Sequence, residues 1–274
     1  MSIWLLAWQE IRIGLRNRWV LATTALLGAL ALSLVLLGSA PTGAVRADPM
    51  AVVVVSLASL TIFLVPLIAL LLSFDAIVGE QERGTLMLLL SYPVARWQVV
   101  VGKALGHVCI LGIATLLGYG VAAGALAMGS ESDTLAWGAF SMMVLTSVML
   151  GAAFVSMGVL ASTLVRERAT AAGLAVGAWL VFVLLYDTAL LGLLVADQGR
   201  YVTQGVLDVL LLLNPADVYR IFNMTADDGV ALYSGLAGPG NVAPMPTGVL
   251  LAVLAAWVLV PLALAVVAFR RRPI

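Results

Sequence analysis

Residues 50–74 read MAVVVVSLASLTIFLVPLIALLLSF, without one charged side chain between Asp48 and Asp75. A bilayer core is spanned by roughly 20 apolar residues in helical form. The pattern recurs. No strong charge falls between Arg18 and Arg46, between Lys103 and Glu131, or between Asp133 and Arg166. Asp187 alone interrupts the stretch from Arg168 to Asp197, and the last stretch is broken in its first half by Gly238, Pro239, Gly240, Pro244 and Pro246. The expectation is an all-α integral membrane protein, one domain over 1–274, with six transmembrane helices at 19–37, 50–74, 98–127, 135–163, 169–195 and 247–269.

Composition agrees. With 63% hydrophobic residues, 10% charged residues and a mean hydropathy of +1.12, too little polar surface exists to cover a soluble globule of 274 residues. Net charge is zero, so no global field recruits nucleic acid. Cys109 is the single cysteine, which excludes an intrachain disulfide framework and a multi-cysteine metal site.

Where the charges sit sets the orientation. On the six-span reading, Arg12, Arg16, Arg18, Arg83, Arg96, Lys103, Arg166, Arg168, Arg270, Arg271 and Arg272 share one side, against Arg46, Arg200 and Arg220 on the other. The positive-inside rule then places both termini in the cytoplasm. The 20–37 apolar run follows Arg16 and Arg18 like a signal peptide, but its roughly 18 residues exceed the usual 7–15, so it is read as a retained span.

Ahead of that span, Trp4, Trp8, Ile11 and Leu15 recur at helical spacing, while Glu10, Arg12, Arg16 and Arg18 supply polar positions, which predicts an N-terminal interfacial helix. Two further segments lie outside the spans: 75–98 on the cytoplasmic side and 196–246 outside. Within the latter, Val206–Leu213 is too short to cross and ends at Asn214-Pro215, so it lies in the interface or re-enters part way. Small residues four apart (Gly102/Gly106, Gly120/Gly124, Ser147/Gly151, Gly173/Gly177) suit close helix approach in lipid. Pro66 and Pro261 are expected to bend their helices.

From Gly79 the chain reads GEQERGTLMLLLSYPVARW and closes with Gly102-Lys103. Physically this is a short charged helix, a break at Gly84-Thr85, an apolar interfacial run and a Pro93 turn into the next span. The order of residues resembles the hallmark of ABC-2 type transporter permeases, whose first cytoplasmic coupling helix lies between spans two and three. The resemblance implies a homodimer driven by a separate or fused ABC ATPase. It makes Asp75, Glu80, Gln81, Glu82, Arg83 and Gly84 the expected ATPase contact, with Arg166, Glu167 and Arg168 as a second coupling segment. The chain carries no Gly-x-x-x-x-Gly-Lys-Ser/Thr, so the hydrolysis site, with its ATP and Mg²⁺, is expected in a partner polypeptide. Nor does the lone His107 stand near a carboxylate in sequence as a triad would need; the chain itself is expected not to be an enzyme.

A narrower likeness covers the whole length. Trp8 with Glu10-Ile11-Arg12, Arg16-Asn17-Arg18-Trp19, Tyr186-Asp187 and LNPADVYR over 213–220 resemble the permeases of nitrous oxide reductase maturation complexes. That implies an inner-membrane protein of denitrification, a NosF-like cytoplasmic ATPase, a NosD-like periplasmic β-helical protein, and a role in assembling the copper sites of the reductase. Two alternatives stand beside it: an exporter of a lipid, glycan or drug, and a non-transporting anchor for a periplasmic protein.

Asp187 is the one carboxylate inside a span, and Tyr186 precedes it. Eighteen residues from Ala169 at 1.5 Å each put it about 27 Å up, near the outer surface. Either an interface or packing role, or the lining of a cavity, is open to it. Met142, Met149 and Met157 form one stripe on span four, a copper(I) path or plain packing. His107 and Cys109 point away from each other on a helix and share no ion. Outside, Asp217, Tyr219 and Arg220, with Asp197, Arg200, Asp208, Asp227 and Asp228, suit contact with the periplasmic partner.

Overall fold

The structure, a computed structural model, describes residues 3–38, 49–129, 134–198, 200–225 and 245–272. Among these it is helical throughout, without a strand. Helices α1 (Ile3–Leu15) and α2 (Arg18–Gly38) meet at a bend of 70°. Then come α3 (Pro49–Ser73), the short α4 (Val78–Glu82) and α5 (Thr85–Ser91), α6 (Arg96–Gly129) and α7 (Thr134–Leu164). Helix α8 (Arg168–Trp179) passes through a π-helical stretch, Leu180–Leu185, into α9 (Tyr186–Asp197). The chain continues through α10 (Gln204–Leu212) and α11 (Pro215–Thr225), and the last helix is α12 (Thr247–Arg271). Arg46, Asp227, Asp228 and the breakers Gly238 to Pro244 fall outside the described residues.

Five helices or helix series are long and apolar enough to cross a membrane: Val53–Glu82, Arg96–Ala127, Trp137–Leu164, Arg168–Asp197 and Thr247–Arg271. The bent pair α1–α2 makes a sixth. Pro49 opens α3, where its missing N–H costs nothing. Pro66 and Pro261 sit inside α3 and α12.

Helix α7 is the centre of the bundle, packed on α3, α12 and α6, while α2 and α1 lie along α6. Close approaches rest on glycine. A Cβ at Gly158 would meet Ser73 Oγ of α3, and one at Gly118 would sit 3.2 Å from the backbone of Gly28 in α2. Gly102 and Gly106 bring α6 against Leu6, Ala7 and Glu10 of α1, and Gly151 lies against Leu111 and Val65. Gly120, Gly124, Gly173 and Gly177 face open space. Of the apolar stripe expected on α1, Ile11 turns inward with Leu6 and Ala7, whereas Trp4, Trp8 and Leu15 are exposed.

Both described chain ends lie at one end of the bundle, the end predicted as cytoplasmic and termed inner here. Arg96 Nη1 donates to the carbonyls of Phe269, Arg270 and Arg272 at 3.4, 3.1 and 2.8 Å. Arg272 in turn donates to the carbonyls of Thr163 (3.0 Å) and Val165 (2.6 Å), which otherwise end α7 unpaired. Its burial, and then Arg166 beside it, pull the Arg272 pKa down.

Span five, α8 to α9, stands apart. Only 6% of its most apolar window is buried within the chain, against 67% for α7, so its surface is left to lipid or to another chain.

Candidate functional site

Two polar clusters stand out, one at each end of the bundle. At the inner end, α3 stops at Ser73 and the backbone amides of Ile77 and Val78 opening α4 lack helical acceptors. Ser162 Oγ of α7 accepts from both, at 2.9 and 3.0 Å. Gly84 then reverses the chain at φ +73°, the left-handed region that glycine enters without a Cβ penalty. Thr85 Oγ1 bonds back to the Glu80 carbonyl at 3.2 Å. The predicted break, apolar run and Pro93 turn are all present.

The predicted coupling residues divide into two groups. Asp75 Oδ2 pairs with Arg168 Nη2 at 2.8 Å, and Glu82 Oε1 accepts the Arg168 backbone amide at 2.7 Å. These bonds join the two predicted coupling segments into one seam. Glu80 Oε1 pairs at 2.7 Å with Lys103, a buried cation that also pairs with Glu10 of α1. Gln81, Arg83, Gly84, Arg166 and Glu167 are exposed, beside the exposed apolar Met87, Leu88 and Tyr92. Glu80 Oε2 and Arg168 Nε are buried with no partner among the described residues. Sequence reasoning missed Lys103 as the hub; its signal was a lone cation flanked by Gly102 and Gly106 within an apolar helix. His107 Nδ1–H donates to the Lys103 carbonyl at 2.7 Å, and Cys109 packs beside Ile11, Val20 and Ile110.

At the outer end, α10 and α11 form a re-entrant hairpin. Asn214 at its tip donates to the Phe182 carbonyl, inside the π stretch, at 2.9 Å, while its Oδ1 caps Ala216 N at 3.0 Å. Trp257 Nε1 of α12 donates to the Leu212 carbonyl at 3.2 Å. Phe182 is fourteen residues above Arg168 and Trp257 thirteen above Arg270, so both place the tip about 20 Å above the inner end, below the outer surface.

Arg220 bridges two carboxylates, Asp187 Oδ2 at 2.6 Å and Asp217 Oδ1 at 2.9 Å. Tyr186 OH donates to the Leu210 carbonyl at 2.6 Å. Tyr219 is fully buried, its hydroxyl 2.9 Å from Ser147 Oγ of α7, near the Thr61–Tyr119 hydroxyl pair. The expected outward contact of Asp217 and Tyr219 with a periplasmic protein is therefore corrected. Both side chains are enclosed by the chain itself, because a helix starting at an Asn-capped tip inside the bundle directs that face at α3, α7 and α12. Arg220 stays about one-third exposed.

Met149 and Met157 of the methionine stripe are partly buried against the core, and Met142 is exposed. Among the described residues no group of three or more His, Cys, Asp or Glu is placed to hold a metal ion.

The chain is an all-helical bundle, and a charged segment, α4 and α5, stands between α3 and α6. The model of the ABC-2 family transporter protein matches residues 4–273. The chain belongs to the ABC-2 transporter family. It is 45% identical over 274 residues to the "Probable ABC transporter permease protein NosY" of Stutzerimonas stutzeri, covering 99% of each. A protein of the same name from Pseudomonas aeruginosa is 44% identical, again over 99% of both chains. As an ABC transporter permease subunit, the chain is expected to act with an ATPase at the membrane, and the seam formed by Asp75, Glu82 and Arg168 is this permease's candidate coupling site.

Proposed function

We propose that this permease couples ATP hydrolysis in a separate, NosF-like cytoplasmic ATPase to copper-site assembly of nitrous oxide reductase outside the inner membrane. It acts as a homodimer with both termini cytoplasmic, and with a NosD-like β-helical protein on the far side. The observation that carries the reading is the end-to-end likeness to the two NosY permeases, which covers 99% of each chain.

The inner seam supports the ATPase part. Arg83, Gln81, Met87 and Leu88 form an exposed mixed surface with Glu82, which with Asp75 and Arg168 holds two inter-span segments together. A body pressing on that surface displaces spans two, three and five together. The exposed Tyr201, outside the hairpin, suits contact with the outer partner better than the buried Tyr219 does.

Native mass spectrometry of the complex, purified gently through a tag on this chain, tests the reading. Two copies of the permease with two ATPases and a periplasmic β-helical subunit are expected. Two permeases and two ATPases alone would overturn the maturation role in favour of a general exporter of lipid, glycan or drug.

A further inference from the structure

We propose that span five relays motion between the inner coupling seam and the re-entrant hairpin, and that Arg220 fastens the hairpin to it. The proposal rests on the reading that an ATPase docks on the coupling segment.

The polar ties of span five fall at its inner end and at its middle. At its inner end, Arg168 is held through its side chain by Asp75 and through its amide by Glu82. From mid-span outward, the Phe182 carbonyl and the Asp187 carboxylate accept from Asn214 and Arg220 of the hairpin, and the Tyr186 hydroxyl donates to its Leu210 carbonyl. Between them, Trp179 Nε1 donates to the Phe63 carbonyl of α3 at 3.0 Å. One face packs inward, with Ala171, Ala175 and Val183 buried, while Leu180, Val181, Leu184 and Leu185 on the other face are exposed. With 6% of its most apolar window buried, against 67% for α7, span five moves at lower cost than α7, whose displacement would open the packed core.

The π-helical stretch Leu180–Leu185 supplies the joint. Inserting i→i+5 bonds into an α-helix disturbs its ladder, and such stretches occur frequently at functional sites. Here Phe182 inside the stretch takes the Asn214 amide, so the hairpin tip sits where span five departs from α-helical geometry. Beyond the joint, Asp187 is presented to Arg220, whose other arm holds Asp217. On its far side α11 is bonded to α7, through Tyr219 to Ser147 and through Asn223 to Thr146. Displacement of span five thus reaches the central helix through α11.

Hydrogen–deuterium exchange of the permease–ATPase complex, with and without a non-hydrolysable ATP analogue, tests the relay. In the wild type, nucleotide is expected to change exchange both at 78–91 and at 204–213. Arg220→Gln and Asp187→Asn are expected to keep the change at 78–91 and lose it at 204–213. The double exchange Asp187→Arg with Arg220→Asp retains one cation between two carboxylates and is expected to restore it. A hairpin response unchanged in the single variants, or not restored by the double exchange, would overturn the assignment of Arg220. A wild-type response at 78–91 with none at 204–213 would overturn the relay alone. No response at 78–91 would remove the docking reading, and the relay with it.

Discussion

Replacing Lys103 by Met removes one charge from a three-charge cluster and keeps the length of the stem. Lys103 Nζ lies 2.7 Å from Glu80 Oε1 and also touches Glu10, with a side chain only 5% exposed. At 2.7 Å and an effective dielectric of about 20, one such pair attracts by about 6 kcal/mol, before desolvation is subtracted. Desolvating each ion costs several kcal/mol, so the intact cluster contributes little net stability; stranding two mostly buried carboxylates costs about 3–5 kcal/mol. Lys103→Met is expected to lower unfolding stability by that amount, and to free α1 for cleavage after Arg16. The triple change Glu10→Gln, Glu80→Gln, Lys103→Met removes every charge and is expected to cost under about 1 kcal/mol. Unfolding of the purified protein by SDS in mixed micelles, followed by tryptophan fluorescence, measures both. A single variant costing less than about 1 kcal/mol, or a triple variant as damaged as the single, would refute the reasoning, since an uncompensated buried charge is its whole basis.

Gly106→Val is expected to destabilise by about 1–3 kcal/mol in the same assay, because its Cβ would lie 2.5 Å from Glu10 Cβ and 3.1 Å from the Ala7 carbonyl. Gly173→Ala and Gly177→Ala meet nothing within 4 Å in the chain, so any loss of assembly on native gels would report a contact with another chain. Tyr219→Phe is expected to cost about 1–3 kcal/mol by leaving buried hydroxyls short of a partner, while co-purification with a periplasmic subunit persists. Leu88→Glu on the exposed coupling surface is expected to leave stability within about 0.5 kcal/mol and to weaken ATPase binding, read by surface plasmon resonance.

Length and apolarity determined the spans. Only a bilayer makes 25 uncharged residues at 50–74 sensible, and the expected bounds fall close to α2, α3, α6, α7, the α8–α9 series and α12. The break at Gly84 was equally legible, because a positive φ selects glycine and the charges on either side cannot enter lipid. The motif singled out 75 and 80–84 as a unit, but not which of these side chains bond to Arg168 and Lys103 and which are left without such a bond.

What tertiary structure alone decided is which face each helix turns inward. In water, burial selects apolar residues and leaves an amphipathic trace; in lipid, the inner and outer faces of α6 and α7 are both apolar, and the trace disappears. Nothing along the chain distinguishes a span at the centre, like α7, from one at the edge, like α8–α9. Nor can a short helix of mixed polarity reveal whether it lies on the membrane or inside it. Tyr219 and Asp217 looked like surface residues because hydroxyl and carboxylate groups favour water. They are buried because Ser147, Asn214 and Arg220, distant or adjacent in sequence, replace that water in space.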